Sequence, residues 1–156
     1  IPFIDEIEFR AIPVKGKAPP YSPHRNDPHT GDNIGIQVID TKTNKTLFYS
    51  PGLGEPTEDT ISLMSQSDCL LVDGTFWEEG EMSKVGLGDK KAADMGHLPQ
   101  SGDEGMIELL RPMDKPRKVL IHINNTNPIL DEDSIERETL EKEGIEVAVD
   151  GMELEL

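Results

Sequence analysis

Apolar residues along this chain follow two rhythms. Over residues 3–14, around Ile4, Ile7 and Phe9, and again over residues 33–40, at Ile34, Ile36 and Val38, they alternate with polar ones. That is the period of a strand with one face buried. Residues 3–14 read as one strand or two. Residues 33–40 and 46–49 read as a hairpin across the polar loop 41–45, closed by Pro51-Gly52. Further along the alternation gives way to short solid runs, Cys69-Leu70-Leu71-Val72 and Val119-Leu120-Ile121. Runs of that length, rich in branched residues, suit fully buried strands.

Helical spacing lies between and after these runs. Residues 58–66 set Ile61 and Met64 on one face, a second helix is expected from about residue 102 to 110, and a third over 135–143. Ser134 suits the N-cap of the third and Gly144 its end. The charged stretch 78–94 reads as loop with a short helix. Residues 145–149 and 152–156 read as closing strands about an Asp150-Gly151 turn. A hairpin followed by strand–helix–strand alternation predicts a layered α/β fold with helices on one face of the sheet.

Composition narrows the class. Hydrophobic residues are 35% and aromatics 4%, with 14 Gly and 12 Pro, which argues for a loop-rich domain with strands rather than a helical bundle. The 156 residues suffice for one domain with a moderate core. With 31 acidic against 15 basic residues the net charge is −16, so nucleic acid and anionic lipid are excluded as partners while cations are attracted. Most of these acids read simply as a solvated surface. Cys69 is the only cysteine, which rules out an internal disulfide. No apolar run is long enough to span a bilayer and no secretory signal is visible, so a cytoplasmic setting is expected. The chain opens on Ile1, inside a strand-like pattern, and an N-terminal part is expected to be missing.

The candidate chemistry sits where the two solid runs stop. One ends in Asp73-Gly74, the other in His122 followed by Asn124-Asn125-Thr126-Asn127-Pro128. In open α/β sheets ligands collect beyond the carboxyl ends of the strands. An imidazole there can bind a metal or handle a proton. The plainer alternatives are a turn-forming Asp before Gly and a hydrogen-bonded core histidine. Asn125 and Asn127 offer amides that can orient a ligand without doing chemistry. Thr75, Phe76 and Trp77 can wall a pocket or cap the core. The proline-rich segment 15–32 carries Tyr21, His24, Arg25 and His29. Long structureless loops in compact domains are functional or disordered. This mix reads as a binding loop in which Arg25 can pair with a carboxylate, the alternative being an exposed linker. His97, in Gly-His-Leu-Pro, reads alone as a solvent-exposed loop histidine. No glycine-rich phosphate loop, HExxH or serine elbow is present.

Longer motifs go further. V-D-G-T-F-W at 72–77, D-M-G-H-L-P at 94–99, I-H-I-N-N-T-N-P-I-L at 121–130 and the ending G-I-E-V-A-V-D-G-M-E-L-E-L carry the likeness, supported by A-P-P-Y-S-P-H-R and P-H-T-G-D-N-I-G. Together they resemble the pyrroloquinoline quinone (PQQ) synthesis B family of the metallo-β-lactamase-like superfamily, over essentially the whole chain. The resemblance implies an αββα sandwich built of two halves, with residues 1–156 as the C-terminal half. The superfamily's first His/Asp metal motif and this family's cysteine-rich zinc site would lie in the missing N-terminal half. His122 would be a late metal ligand, Asp73 would stand at the bridging carboxylate, and His97 would be a catalytic loop histidine beside the metal. Two ligands fall short of the three or so that catalytic metals hold, so this chain alone is expected to bind metal poorly.

The resemblance also implies a role in PQQ biosynthesis, as an oxygenase using a divalent metal to hydroxylate the tyrosine ring of a Glu–Tyr precursor. Ferrous iron is the expected ion and zinc the alternative. Carriage of PQQ or its precursor to the periplasm, and metal-dependent hydrolysis, are the other readings. Residue type alone suggests that His24, Arg25, Asn125 and Asn127 hold a carboxylate-bearing, peptide-derived substrate. Half a sandwich exposes an apolar face, so association with the missing half or with a second copy is expected.

Overall fold

The computed structural model describes residues 2–25 and 27–156, so that Asn26 of the proline-rich loop lies outside the described residues. Among the described residues seven strands form one sheet in sequential order. The first four, β1 (Pro2–Ile4), β2 (Ile7–Pro13), β3 (Ile34–Asp40) and β4 (Thr46–Ser50), run antiparallel. From β4 onward β5 (Cys69–Asp73), β6 (Arg117–Ile121) and β7 (Ile145–Val147) run parallel. Parallel neighbours need crossover connections, and these are where the helices fall. Helix α1 (Glu58–Gln66) bridges β4 to β5; α2 (Glu81–Lys84), α3 (Ala92–Met95) and α4 (Met106–Leu110) follow β5; α5 (Ile135–Lys142) bridges β6 to β7.

The strand register explains the core. Phe48, Leu70, Val72, Leu120 and Val147 share one face of the sheet by the pairings Phe48↔Leu70, Val72↔Leu120 and Leu120↔Val147. They cluster with Met64 of α1, Met106 and Leu110 of α4 and Leu140 of α5. All three helices therefore pack on that face, as the alternation predicts. Phe48, Leu70 and Leu120 are fully buried, each worth about 1.5–3 kcal/mol of transfer free energy. The opposite face carries Ile36, Val38, Leu47, Tyr49 and Leu71 in register. None of these joins the helix-packed core, and they remain half-buried or, at Tyr49, exposed.

Some boundaries differ from the sequence expectation. Helix α4 starts at Met106 rather than near 102, because Gly102 takes φ +94° and the chain folds so tightly that a Cβ on Gly105 would meet the Ser101 carbonyl oxygen at 2.5 Å. Residues 152–156 are not a strand: the last ladder bond of the sheet is Ala148 N–H to Leu120 O, and Met152 N–H turns back onto Val149 O. Residues 128–130 form an unforeseen 3-10 turn, Pro128–Leu130, capped by the Asn127 side chain. The Ser134 cap on α5 does form, accepting from the Arg137 N–H at 3.0 Å.

Candidate metal centre

The parallel strands bring their carboxyl ends together at one edge of the sheet. Asp73 pairs with Ile121, so His122 is the next residue out on the neighbouring strand. Gly74 N–H donates to Ile121 O at 2.7 Å, and a Cβ on Gly74 would lie 2.9 Å from that same oxygen. Only glycine permits this approach. His122 then takes φ +58°, turning the chain out of β6. Histidine is among the side chains that tolerate this left-handed conformation. Behind the turn, Asn127 is 2% exposed. Its Nδ2 donates to Gly74 O at 2.9 Å and to Gln100 Oε1 at 2.7 Å, while its Oδ1 accepts from Ile129 N–H at 3.1 Å. Glu81 of α2, also buried, accepts from Trp77 N–H at 2.6 Å and from the Thr126 hydroxyl, anchoring the asparagine loop.

Three side chains converge at the opening so made. Asp73, His97 and His122 each offer one ligand atom, and these atoms lie within 4.8 Å of one another. His97 Nδ1 is 2.8 Å from Asp73 Oδ2. The two imidazoles stack with centroids 5.3 Å apart, and Phe76 meets His97 edge-on at 5.8 Å. Asp73 is fully buried. Backbone N–H groups hold each of its oxygens: Leu53 donates to Oδ2 and Thr75 to Oδ1, both at 3.0 Å. Burial falls from Asp73 through His97 to the exposed His122, so the cluster opens to solvent on the imidazole side. Cys69 lies at the other end of β5, fully buried, and burial pushes its thiol up from the ordinary range.

A cavity of about 330 Å³ lies over the imidazoles, lined by His97, His122, Lys15, Lys17, Arg25 and the loop around Gly52. The loop 15–32 thus reaches the strand ends from the far side of the sheet sequence. Arg25 donates through Nη2 to Asp94 O at 2.9 Å and through Nη1 to Ala18 O. Both acceptors are neutral carbonyls, so they orient the guanidinium without cancelling its charge. His24 does not line this cavity; its ring lies 4.2 Å from that of His29 on the surface. Asn125 is exposed beyond His122, and Asn127 is buried behind the site.

Sequence reasoning treated Thr75 as pocket wall and overlooked its hydroxyl, and it gave no part to the Leu53 N–H. The first had a signal, a hydroxyl two residues after the aspartate in V-D-G-T. The second had none, since a backbone donor carries no residue identity. The expectation of weak metal binding counted two ligands, whereas the fold gathers three candidate groups.

A family model described as the β-lactamase superfamily domain matches residues 3–123. The chain is 56% identical over 151 residues to coenzyme PQQ synthesis protein B of Nitrosococcus oceani, covering 97% of this chain and 49% of that protein. It is also 56% identical to the protein of that name from Methylococcus capsulatus, covering 100% of this chain and 51% of the relative. Among solved structures, a Zn²⁺-bound PqqB from Methylobacterium extorquens superposes with a TM-score of 0.83 at 33% identity, over 98% of this chain and 48% of that one. The chain spans about half the length of the curated relatives it matches.

Proposed function

This chain belongs to the β-lactamase superfamily, and we propose that it is the C-terminal part of a cytoplasmic, metal-dependent oxygenase of PQQ synthesis. The observation that carries the reading is the convergence of Asp73, His97 and His122 under an open cavity. Two imidazoles and a carboxylate with free positions are the donor set that suits ferrous iron in oxygenases. Bound there, ferrous iron supplies the oxygen chemistry that hydroxylation of a tyrosine ring requires. The relatives named for PQQ synthesis support that assignment of pathway, at the length of the longer protein.

In this reading the chain's own residues do three things. Asp73 and His122 hold the ion, and His97 completes the set or holds a proton at Nδ1 against the Asp73 carboxylate. Arg25, on the wall of the same cavity and held by neutral carbonyls, draws in a carboxylate-bearing Glu–Tyr substrate against the strongly negative field of the rest of the chain, while Lys15 and Lys17 beside it are paired with Glu55 and Asp94. Asn125 acts at the rim, Asn127 supports the strand ends from behind, and His24, off the cavity wall beside His29, takes no part. The missing half of the sandwich would bring the remaining metal-binding motif and cover the open sheet face.

The longer protein of which this chain is about half, loaded with ferrous iron, is expected to consume dioxygen in the presence of a Glu–Tyr precursor, and His122→Ala to abolish that uptake. Normal turnover by the variant would end the proposal. A hydrolase is the second reading, favoured by the Zn²⁺ in the related structure; there the metal activates water, and activity would persist without oxygen. Tight binding of the quinone with no turnover in either atmosphere would point to a carrier.

A further inference from the structure

We propose that Thr75 is the positioning residue of the metal centre, and that its hydroxyl fixes which nitrogen of His122 faces the ion. This rests on the metal-centre reading above and deepens it. Thr75 is 5% exposed, and its Oγ1 has four polar atoms within reach. They are Asp73 Oδ1 at 2.6 Å, His122 Nδ1 at 2.8 Å, His97 Nδ1 at 3.0 Å and His122 O at 3.0 Å. A hydroxyl has one proton to give and two lone pairs to offer. The carboxylate and the His122 carbonyl can both only accept, but the carboxylate is charged and closer, 2.6 Å against 3.0 Å, at the distance of a charge-assisted O–H···O⁻ bond. The proton therefore goes to Asp73 Oδ1.

With its proton spent, Oγ1 faces His122 Nδ1 as an acceptor, so Nδ1 of His122 carries a hydrogen. That leaves Nε2 of His122 as the lone-pair nitrogen. A ligating histidine is commonly oriented by a partner on its other nitrogen, which sets the tautomer and the ring plane. The same bond network leaves Oδ2 of Asp73 as the oxygen that faces His97, and so the one that would be offered to an ion. The backbone makes Thr75 rigid enough for this task. Its own N–H is on Asp73 Oδ1, its carbonyl accepts from Asn124 N–H at 3.1 Å, and Asn127 holds the preceding carbonyl. One hydroxyl thus couples a fully buried carboxylate to an exposed imidazole that otherwise sits on a left-handed turn.

Thr75→Val keeps the shape and removes the hydroxyl; Thr75→Ser keeps the hydroxyl and removes the methyl. In the longer protein, chelator competition for Zn²⁺ is expected to show about 10–100-fold weaker binding in Thr75→Val, the usual cost of losing an outer partner, and recovery to within a few-fold in Thr75→Ser. Nitrogen-15 spectra of the unsubstituted protein are expected to show His122 with Nδ1 protonated and Nε2 shifted on Zn²⁺ addition. Equal affinity of Thr75→Val and the unsubstituted chain, or ligation through Nδ1, would overturn the proposal. The spectra decide the matter even if Thr75→Val fails to fold. Failure of the unsubstituted longer protein to bind Zn²⁺ would instead sink the metal-centre reading, and this proposal with it.

Discussion

Asp73 and His122, separated by almost fifty positions, stand one rung apart on neighbouring parallel strands, because Asp73 pairs with Ile121. Their environments differ: the carboxylate is fully buried and the imidazole is exposed. Substitutions at the two should therefore separate metal binding from stability.

His122→Asn keeps a residue that tolerates the left-handed backbone and removes the imidazole. We expect Zn²⁺ affinity to fall by more than the roughly 10–100-fold typical of an outer-shell loss, with the urea midpoint nearly unchanged. Asp73→Asn should lose metal and stability together. The Leu53 and Thr75 N–H groups both point at the carboxylate, and an amide must turn its NH₂ towards one of them. Leaving such a group unpaired costs about 1–3 kcal/mol. Chelator competition and urea titration of both variants check the split.

Asn127 gives a second separation. As a substrate contact its loss would raise KM and leave unfolding untouched. The structure spends its amide on Gly74 O, Gln100 Oε1 and Ile129 N–H instead. Asn127→Ala is therefore expected to destabilise by at least the 1–3 kcal/mol or so of one unpaired buried group. Asn127→Asp should do no better, since it sets a charge against two acceptor oxygens. Urea unfolding of both variants tests this, and an unmoved midpoint would return Asn127 to the substrate side.

These cases show what the sequence disclosed and what it hid. The solid runs 69–72 and 119–121 and the single ionisable residue closing each were legible, because buried parallel strands leave a continuous apolar signature. The helix 58–66 was legible to its ends, since its spacing and cap are local. Residues 152–156 looked like a strand and are not, because alternation cannot say whether a neighbouring strand is there to pair with. Asn127 looked like a ligand group for a related reason: an amide in a polar loop has the same letter whether it faces a cavity or a buried carbonyl. Loop 15–32 was singled out by composition, but only the folded chain shows Arg25 reaching the cavity and His24 turned away from it.

Asp68 should dominate part of the acid response. Burial pushes its carboxyl up, yet the Thr46 N–H at 2.9 Å, with Lys45 and Lys115 at 3.2 and 3.4 Å, outweighs this and holds it below the usual range. A carboxyl lowered by folding stabilises the native state above its unfolded value. That contribution is lost as pH falls through the folded value. Asp68→Asn is thus expected to be less stable at neutral pH and to lose less between about pH 5 and pH 2. Urea midpoints across that range, with and without added salt, provide the test; parallel curves for the two proteins would remove Asp68 from the account.

The open sheet face makes the strongest demand. Ile36, Val38, Leu47, Tyr49 and Leu71 lie in register on the side away from the helices. A contiguous apolar surface of this kind marks an interaction site. If it packs against the other half of a two-sheet sandwich, one substitution should act in opposite directions in the two contexts. Val38→Lys is expected to reduce dye binding and self-association of the 156-residue chain, because the charge sits on a surface that solvent reaches. In the longer protein the same lysine would be forced into an interior without a partner, at a cost of several kcal/mol or a loss of fold. Sedimentation of the short chain and thermal unfolding of the long one measure the two effects. Improvement in both would mean that the face stays open to water, and the sandwich arrangement would have to be abandoned for this protein.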